Sequence, residues 1–212
     1  MLTRWGYPTI LKTLLAVLLV SLPTALFATS FLPGTLLCSF LLLSFSVYFF
    51  RDPERQPPLE SGTITAPADG RVLLVQPADN DFTGPSSTLV SIFMSPFDVH
   101  VNRIPLDGTI TRLHYHPGTF MMAFNHRSPE SNEKMEIGIT GTKTKLLFSQ
   151  VSGFLARRIV CELREGDAVR QGHRFGMIRF GSRVDIVLPA HTTVSVRPGE
   201  RTRAGETVIA RY

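Results

Sequence analysis

The sequence predicts a mainly β domain carried behind an N-terminal transmembrane helical hairpin. Three observations lead there. From Thr13 to Phe50 no residue is charged, and the run is interrupted only around Ser30, Pro33 and Gly34. From Ser61 onward short apolar runs alternate with turn signals. Near the C-terminus a Gly-acid-x-x-x-x-Gly turn occurs twice, 33 residues apart.

As one continuous helix the uncharged run would reach about 57 Å at 1.5 Å per residue, whereas a single crossing needs about 30 Å. A turn at Ser30, Pro33 and Gly34 resolves the excess, so two helices are expected, over 13–29 and 31–50, within an anchor spanning 1–50. Arg4 and Lys12 precede the first helix, and Arg51 and Arg55 follow the second. The positive-inside rule therefore places both flanks, and the body behind them, on the cytoplasmic face of a cell membrane. A cleaved signal peptide is the rival reading, but no small-x-small site follows and a second apolar stretch does. A shallow re-entrant hairpin stays open, because the first helix is short and contains Pro23.

Residues 51–60, with Pro53, Pro57 and Pro58, cannot continue a helix and read as a linker. The body, 61–212, holds apolar runs at Arg71–Val75, Leu89–Phe93, Thr109–Leu113, Lys145–Phe148 and Arg158–Leu163, each expected to be a strand. The repeated turns, Gly166–Gly172 and Gly199–Gly205, each lead into a further apolar strand. They resemble turns of lipoyl and biotinyl carrier domains, so a barrel-sandwich, lipoyl-like arrangement is expected. Carriers also need an exposed lysine in a hairpin, and no lysine follows Lys145.

A chain of 212 residues can bury an adequate core without cross-links. Its only cysteines, Cys38 and Cys161, exclude a disulfide scaffold and a thiolate zinc site. Of the net charge of +5, all is accounted for between Arg157 and Arg211, where eleven arginines face six acids. Beside a membrane anchor such a surface suits anionic head groups. Nucleic acid is not expected as a partner, since neither a basic block nor a recognisable module is present.

Between the two turns lies Phe175-Gly-Met-Ile-Arg-Phe-Gly-Ser-Arg-Val-Asp-Ile-Val-Leu-Pro189. Its Phe180-Gly181-Ser182-Arg183 core resembles the self-processing segment of short-form phosphatidylserine decarboxylases. The likeness extends to Phe49–Pro53, Ala66–Gly70, Met94–Arg103 and His114–Gly118, in the same order. A Gly-Ser pair by itself is an ordinary turn dipeptide. The chemistry nevertheless needs the pair, because a glycine lets a neighbouring hydroxyl approach its carbonyl closely.

What the resemblance implies is a pyruvoyl-dependent decarboxylase of phosphatidylserine. Serinolysis at Gly181-Ser182 would leave a large β chain, 1–181, and a small α chain, 182–212, associated as a heterodimer, alone or within a homo-oligomer. Ser182 would become covalently bound pyruvate, the cofactor that forms a Schiff base with the serine phospholipid. Asp69 and His100 are the implied partners for activating the hydroxyl. Longer family members carry a second histidine where Arg103 stands here, and His114 is the expected substitute. Arg103 and Arg183 are candidates for the substrate's phosphodiester or carboxylate.

Each residue also has a plainer reading: Asp69-Gly70 is a good β-turn, His100 fits a half-buried strand, and His114 and His116 share a strand face that suits a metal. No third ligand stands at a recognisable spacing, so no metal is expected. Rival functions are an archaetidylserine decarboxylase, a noncatalytic membrane-tethered lipoyl-like adaptor and a noncatalytic lipid-binding protein; the last two predict an uncut chain.

Overall fold

The computed structural model describes all residues except 119–131, 154–158 and 180–181. The chain divides into two compact units, Met1–Glu54 and Arg55–Tyr212.

In the first unit α1 (Tyr7–Phe27) and α2 (Leu32–Phe49) are joined by a 3-10 turn over Thr29–Phe31. Helix α1 starts ahead of the uncharged run because Pro8 occupies its first turn, where a missing N–H is harmless. Its 21 residues give about 31 Å of helix. Both helices are long and apolar enough to cross a membrane. They show leucine and phenylalanine on every side, as helices in hydrocarbon do. Hydroxyls link them: Ser21 Oγ lies 3.1 Å from Ser39 Oγ, and Ser46 Oγ 3.5 Å from Thr13 Oγ1.

The second unit is mainly β, as expected, and its described residues contain no helix. Its strands are β1 (Thr63–Thr65), β2 (Gly70–Asn80), β3 (Gly84–Met94), β4 (Val101–Arg103), β5 (Gly108–His116), β6 (Lys134–Thr140) and β7 (Lys145–Val151). There follow β8 (Ile159–Cys161), β9 (Ala168–Val169), β10 (Arg174–Ile178), β11 (Ser182–Leu188), β12 (Thr193–Val194), β13 (Arg201–Thr202) and β14 (Val208–Arg211). Of the expected strand 158–163, Arg158 lies outside the described residues.

The largest sheet runs β13-β2-β3-β11-β7-β6-β5-β9, and two three-stranded sheets run β1-β14-β12 and β4-β10-β8. Alternating side chains such as Val90, Ile92, Ile137, Phe148, Val184 and Ile186 build one buried core. Each contributes about 1.5–3 kcal/mol by leaving water.

The repeated turns belong to a longer internal repeat. Gly166 and Gly172 donate their N–H groups to the carbonyls of Ile110 and Ile104; Gly199 and Gly205 donate theirs to Val72 and Ala66. The accepting segments are themselves alike: Ala66-Pro-Ala-Asp-Gly-Arg-Val72 matches Ile104-Pro-Leu-Asp-Gly-Thr-Ile110. Asp69 Oδ1 accepts from Ala204 N at 2.7 Å, and Asp107 Oδ1 from Gln171 N at 2.6 Å. At Gly70 an added Cβ would lie 2.1 Å from Phe93 O, and at Gly108 2.4 Å from Thr140 O. The body is therefore two related halves, each with a Pro-x-Asp-Gly segment clamped to a Gly-acid turn.

Candidate functional site

Ser182 opens β11, the strand between β3 and β7 in the largest sheet. Its register partner on β3 is Met94. The side chain is fully buried, on the same strand face as Val184 and Ile186, and Oγ donates to Met94 Sδ at 3.3 Å. Gly181 lies outside the described residues.

Polar side chains gather at this end of the core. Asn102 and Gln150 are fully buried. Asn102 Nδ2 is 3.7 Å from the same Met94 sulfur and 3.5 Å from Pro67 O. Gln150 Nε2 donates to Asn102 Oδ1 at 2.9 Å and to Val160 O at 3.3 Å. Two primary amides in a core cost stability unless bonded. Placing them beside a buried serine gives the face donors and acceptors that an apolar packing would lack.

The turn after Met94 delivers His100. Asp98 Oδ2 accepts from Ser95 N at 2.8 Å and from Ser95 Oγ at 2.7 Å, a local closure that Ser-Pro-x-Asp is built to make. His100 is fully buried, with Nδ1 2.9 Å from Asp98 O. A carbonyl oxygen only accepts, so Nδ1 carries the proton and Nε2 is the basic nitrogen of the neutral ring.

Two residues before Asp69, the carbonyl of Pro67 accepts from Arg103 N at 2.9 Å; the bonds described for the Asp69 carboxylate go to Ala204 and Arg55, not to His100 or Ser182. Besides the Ala204 amide, the Asp69 carboxylate takes Arg55 Nη2 at 2.9 Å, and Arg55 Nη1 also reaches Glu206 Oε2 at 2.9 Å. Half of Asp69's work is therefore the turn clamp that Asp107 repeats. The arginine contact is not repeated among the bonds described for Asp107.

The two candidate arginines are buried. Arg103 is 4% exposed and donates from Nη1 to Gly172 O at 2.8 Å. Its Cδ sits 3.0 Å from where a Cβ on Gly205 would be, so it threads between the two repeated turns. Arg183 is 2% exposed and bonds Asp185 and Ser91.

His114 lies on β5, three strands from β11, about 14 Å across the sheet. It is exposed, and its ring stands 4.3 Å from that of His116, so the two do share a face. His116 Nε2 is 3.0 Å from Glu136 Oε2, and Lys134 Nζ is 2.8 Å from Glu136 Oε1. Burial pushes the Glu136 carboxyl up, but the bonds from Lys134 and His116 outweigh it and hold the carboxyl below its usual range. Among the described residues no three His, Cys, Asp or Glu side chains form a metal-binding group.

Sequence reading passed over Met94, Asn102, Gln150 and Asp107. The clue for Asp107 was available in the second Pro-x-Asp-Gly. Nothing local marks the two amides, because their meaning comes from strands far apart in the chain.

The family model described as phosphatidylserine decarboxylase matches residues 42–210. A protein of Chlorobium limicola named phosphatidylserine decarboxylase proenzyme is 66% identical over the whole of both chains. One of the same name from Chlorobium phaeobacteroides is 58% identical over 99% of each. Another, from Chlorobaculum tepidum, is 50% identical over 97% of this chain and 95% of its own. A family match over residues 42–210 and identities of 50–66% over nearly the whole of each chain show that the chain belongs to the phosphatidylserine decarboxylase family.

Proposed function

We propose that this protein decarboxylates phosphatidylserine to phosphatidylethanolamine and carbon dioxide, using a pyruvoyl group that it makes from its own Ser182. The observation that carries the reading is the enclosure of Ser182 at the head of a central strand, with the Asn102 and Gln150 amides gathered nearby, in a chain of this family.

Self-processing would begin with Ser182 Oγ. Rotation about χ1 releases it from the Met94 sulfur, and His100 Nε2 takes its proton as it attacks the Gly181 carbonyl. The amide becomes an ester and frees the nitrogen of residue 182. Loss of the α-proton expels the Gly181 carboxylate and leaves dehydroalanine. Water then replaces the nitrogen, which departs as ammonia, and a ketone remains at the new terminus. Asp69 would supply the carboxylate of the set.

The surroundings fit a carbonyl at position 182, because the side chain is enclosed and Asn102 and Gln150 bring amide groups to that end of the core. Once formed, the group supplies an electron sink for the bond to the departing carboxylate. His100 Nε2 would hold the proton that replaces carbon dioxide on the substrate's α-carbon.

The two apolar helices anchor the enzyme where its lipid substrate resides, with Arg4, Lys12 and Arg51 favouring the cytoplasmic face. The products of the cut, 1–181 and 182–212, would stay together as a heterodimer, since β11, β13 and β14 pair with β3 and β7, β2, and β1.

Mass spectrometry of the purified protein tests the reading. The expected result is two chains, the smaller starting at position 182 with a blocked, carbonyl-bearing terminus; an intact 23.6 kDa chain would refute it. Ser182→Ala should abolish both the cut and carbon dioxide release.

A further inference from the structure

Position 182 is the first residue of a strand, and a cut before it turns that residue into a chain end. Chain ends fray unless they are tied down. Losing one residue of pairing would displace the terminal group by about 3 Å, enough to ruin alignment with groups on the large chain.

The strand face opposite Ser182 carries a tie. Arg183 is the largest fully buried side chain among the described residues. Its Nε lies 2.5 Å from Asp185 Oδ1, and its Nη2 donates to Ser91 Oγ at 2.6 Å. Asp185 and Ser91 are direct register partners across β11 and β3, so the guanidinium reaches both along and across the sheet. Arg183 and Asp185 would belong to the small chain, Ser91 to the large one. A guanidinium is expensive to bury and holds its place only through such partners. Because alternation turns Arg183 away from Ser182, the tie acts on the terminus without occupying the face where the chemistry is proposed.

We infer that Arg183, held by Asp185 and Ser91, is a positioning residue that keeps the new end of the small chain in register on β3 after the cut. The inference rests on the self-processing reading above. While the chain is continuous, the peptide bond before Ser182 limits fraying of the strand and the tie adds little. After the cut it reinforces the pairing of β11 with β3 and β7 at the strand's new end.

The test is hydrogen exchange at the amides of residues 183–185 in the full-length protein in detergent, comparing Ser91→Ala with its parent in two backgrounds, self-cut and uncut Ser182→Ala. Removing one charge-assisted hydrogen bond should speed exchange about ten- to hundredfold in the cut protein. In the uncut background the change should stay below about threefold. Arg183→Lys, which keeps the charge but loses the two-ended geometry, should give an intermediate acceleration and lower kcat with KM unchanged.

Equal acceleration in both backgrounds would mean an ordinary packing role and overturn the inference, as would none in either. A raised KM for Arg183→Lys with unaltered exchange would assign the side chain to substrate binding instead. A wild-type protein that stays whole by mass overturns the self-processing reading, and this inference with it, before any exchange is measured.

Discussion

The twofold internal repeat provides a control for the role of Asp69. Asp107→Ala removes the bond from Gln171 N at 2.6 Å, and Asp69→Ala the matching bond from Ala204 N at 2.7 Å. A hydrogen bond to a charged group contributes about 1.5–3 kcal/mol. At about 2–4 °C per kcal/mol for a domain of this size, Asp107→Ala should lower Tm by about 3–12 °C. Asp69→Ala should lower it at least as much, since Arg55 also loses a partner and keeps Glu206. The two variants should part company in self-processing. Followed on denaturing gels, Asp107→Ala should cut to completion, and Asp69→Ala should remain one chain at a temperature where both are folded by circular dichroism. If Asp69→Ala cuts at the wild-type rate, its carboxylate is a turn clamp and nothing more. If Asp107→Ala also stalls, the clamp rather than the charge is what processing needs.

Further outcomes follow from single contacts. Gly108→Ala would set a Cβ 2.4 Å from Thr140 O, and thermal melts should show a loss of about 1–3 kcal/mol or more. Gly84→Ala meets open space and bears only the strain of φ +99°, about 1 kcal/mol. Burial pushes the Cys161 thiol up, so at pH 8 iodoacetamide should label it in the native protein far more slowly than after unfolding. Glu136, held low by Lys134 and His116, adds stability in full above its unfolded value near 4.5 and loses it as pH falls through the lower folded value. The stability difference between wild type and Glu136→Gln should therefore shrink on acidification through that window.

Much of the fold is readable from sequence because its signals are local. An uncharged run broken by Pro33 and Gly34 yields two helices, and alternation at Leu89–Phe93 yields β3. Strand β6 escapes such reading: Gly138 interrupts its pattern, and the reason for that glycine is the Phe82 ring, 2.8 Å from where its Cβ would be. Ser182, His100 and Asp69 are recognisable through their motifs. Asn102 and Gln150 are not, because a polar residue within an apolar run marks an edge as often as a buried bond. The burial of Arg103 and Arg183 is likewise not legible locally. Arginine reads as surface, and only the finished packing reveals that one threads two turns and the other spans two strands.

The interlacing of the C-terminal segment sets an order of events. Strand β11 lies inside the largest sheet, β14 is the middle strand of its own, and β13 closes an edge. For a chain that cuts itself before Ser182, these partners must be in place first, because the nucleophile is enclosed only once its neighbours have paired. A segment severed earlier would be a short peptide with bare strand edges, and recapturing it would require insertion between strands already closed on each other. On the proposed reading, folding would be the checkpoint that licenses the cut, and a protein that misfolds would keep its peptide bond and stay inert.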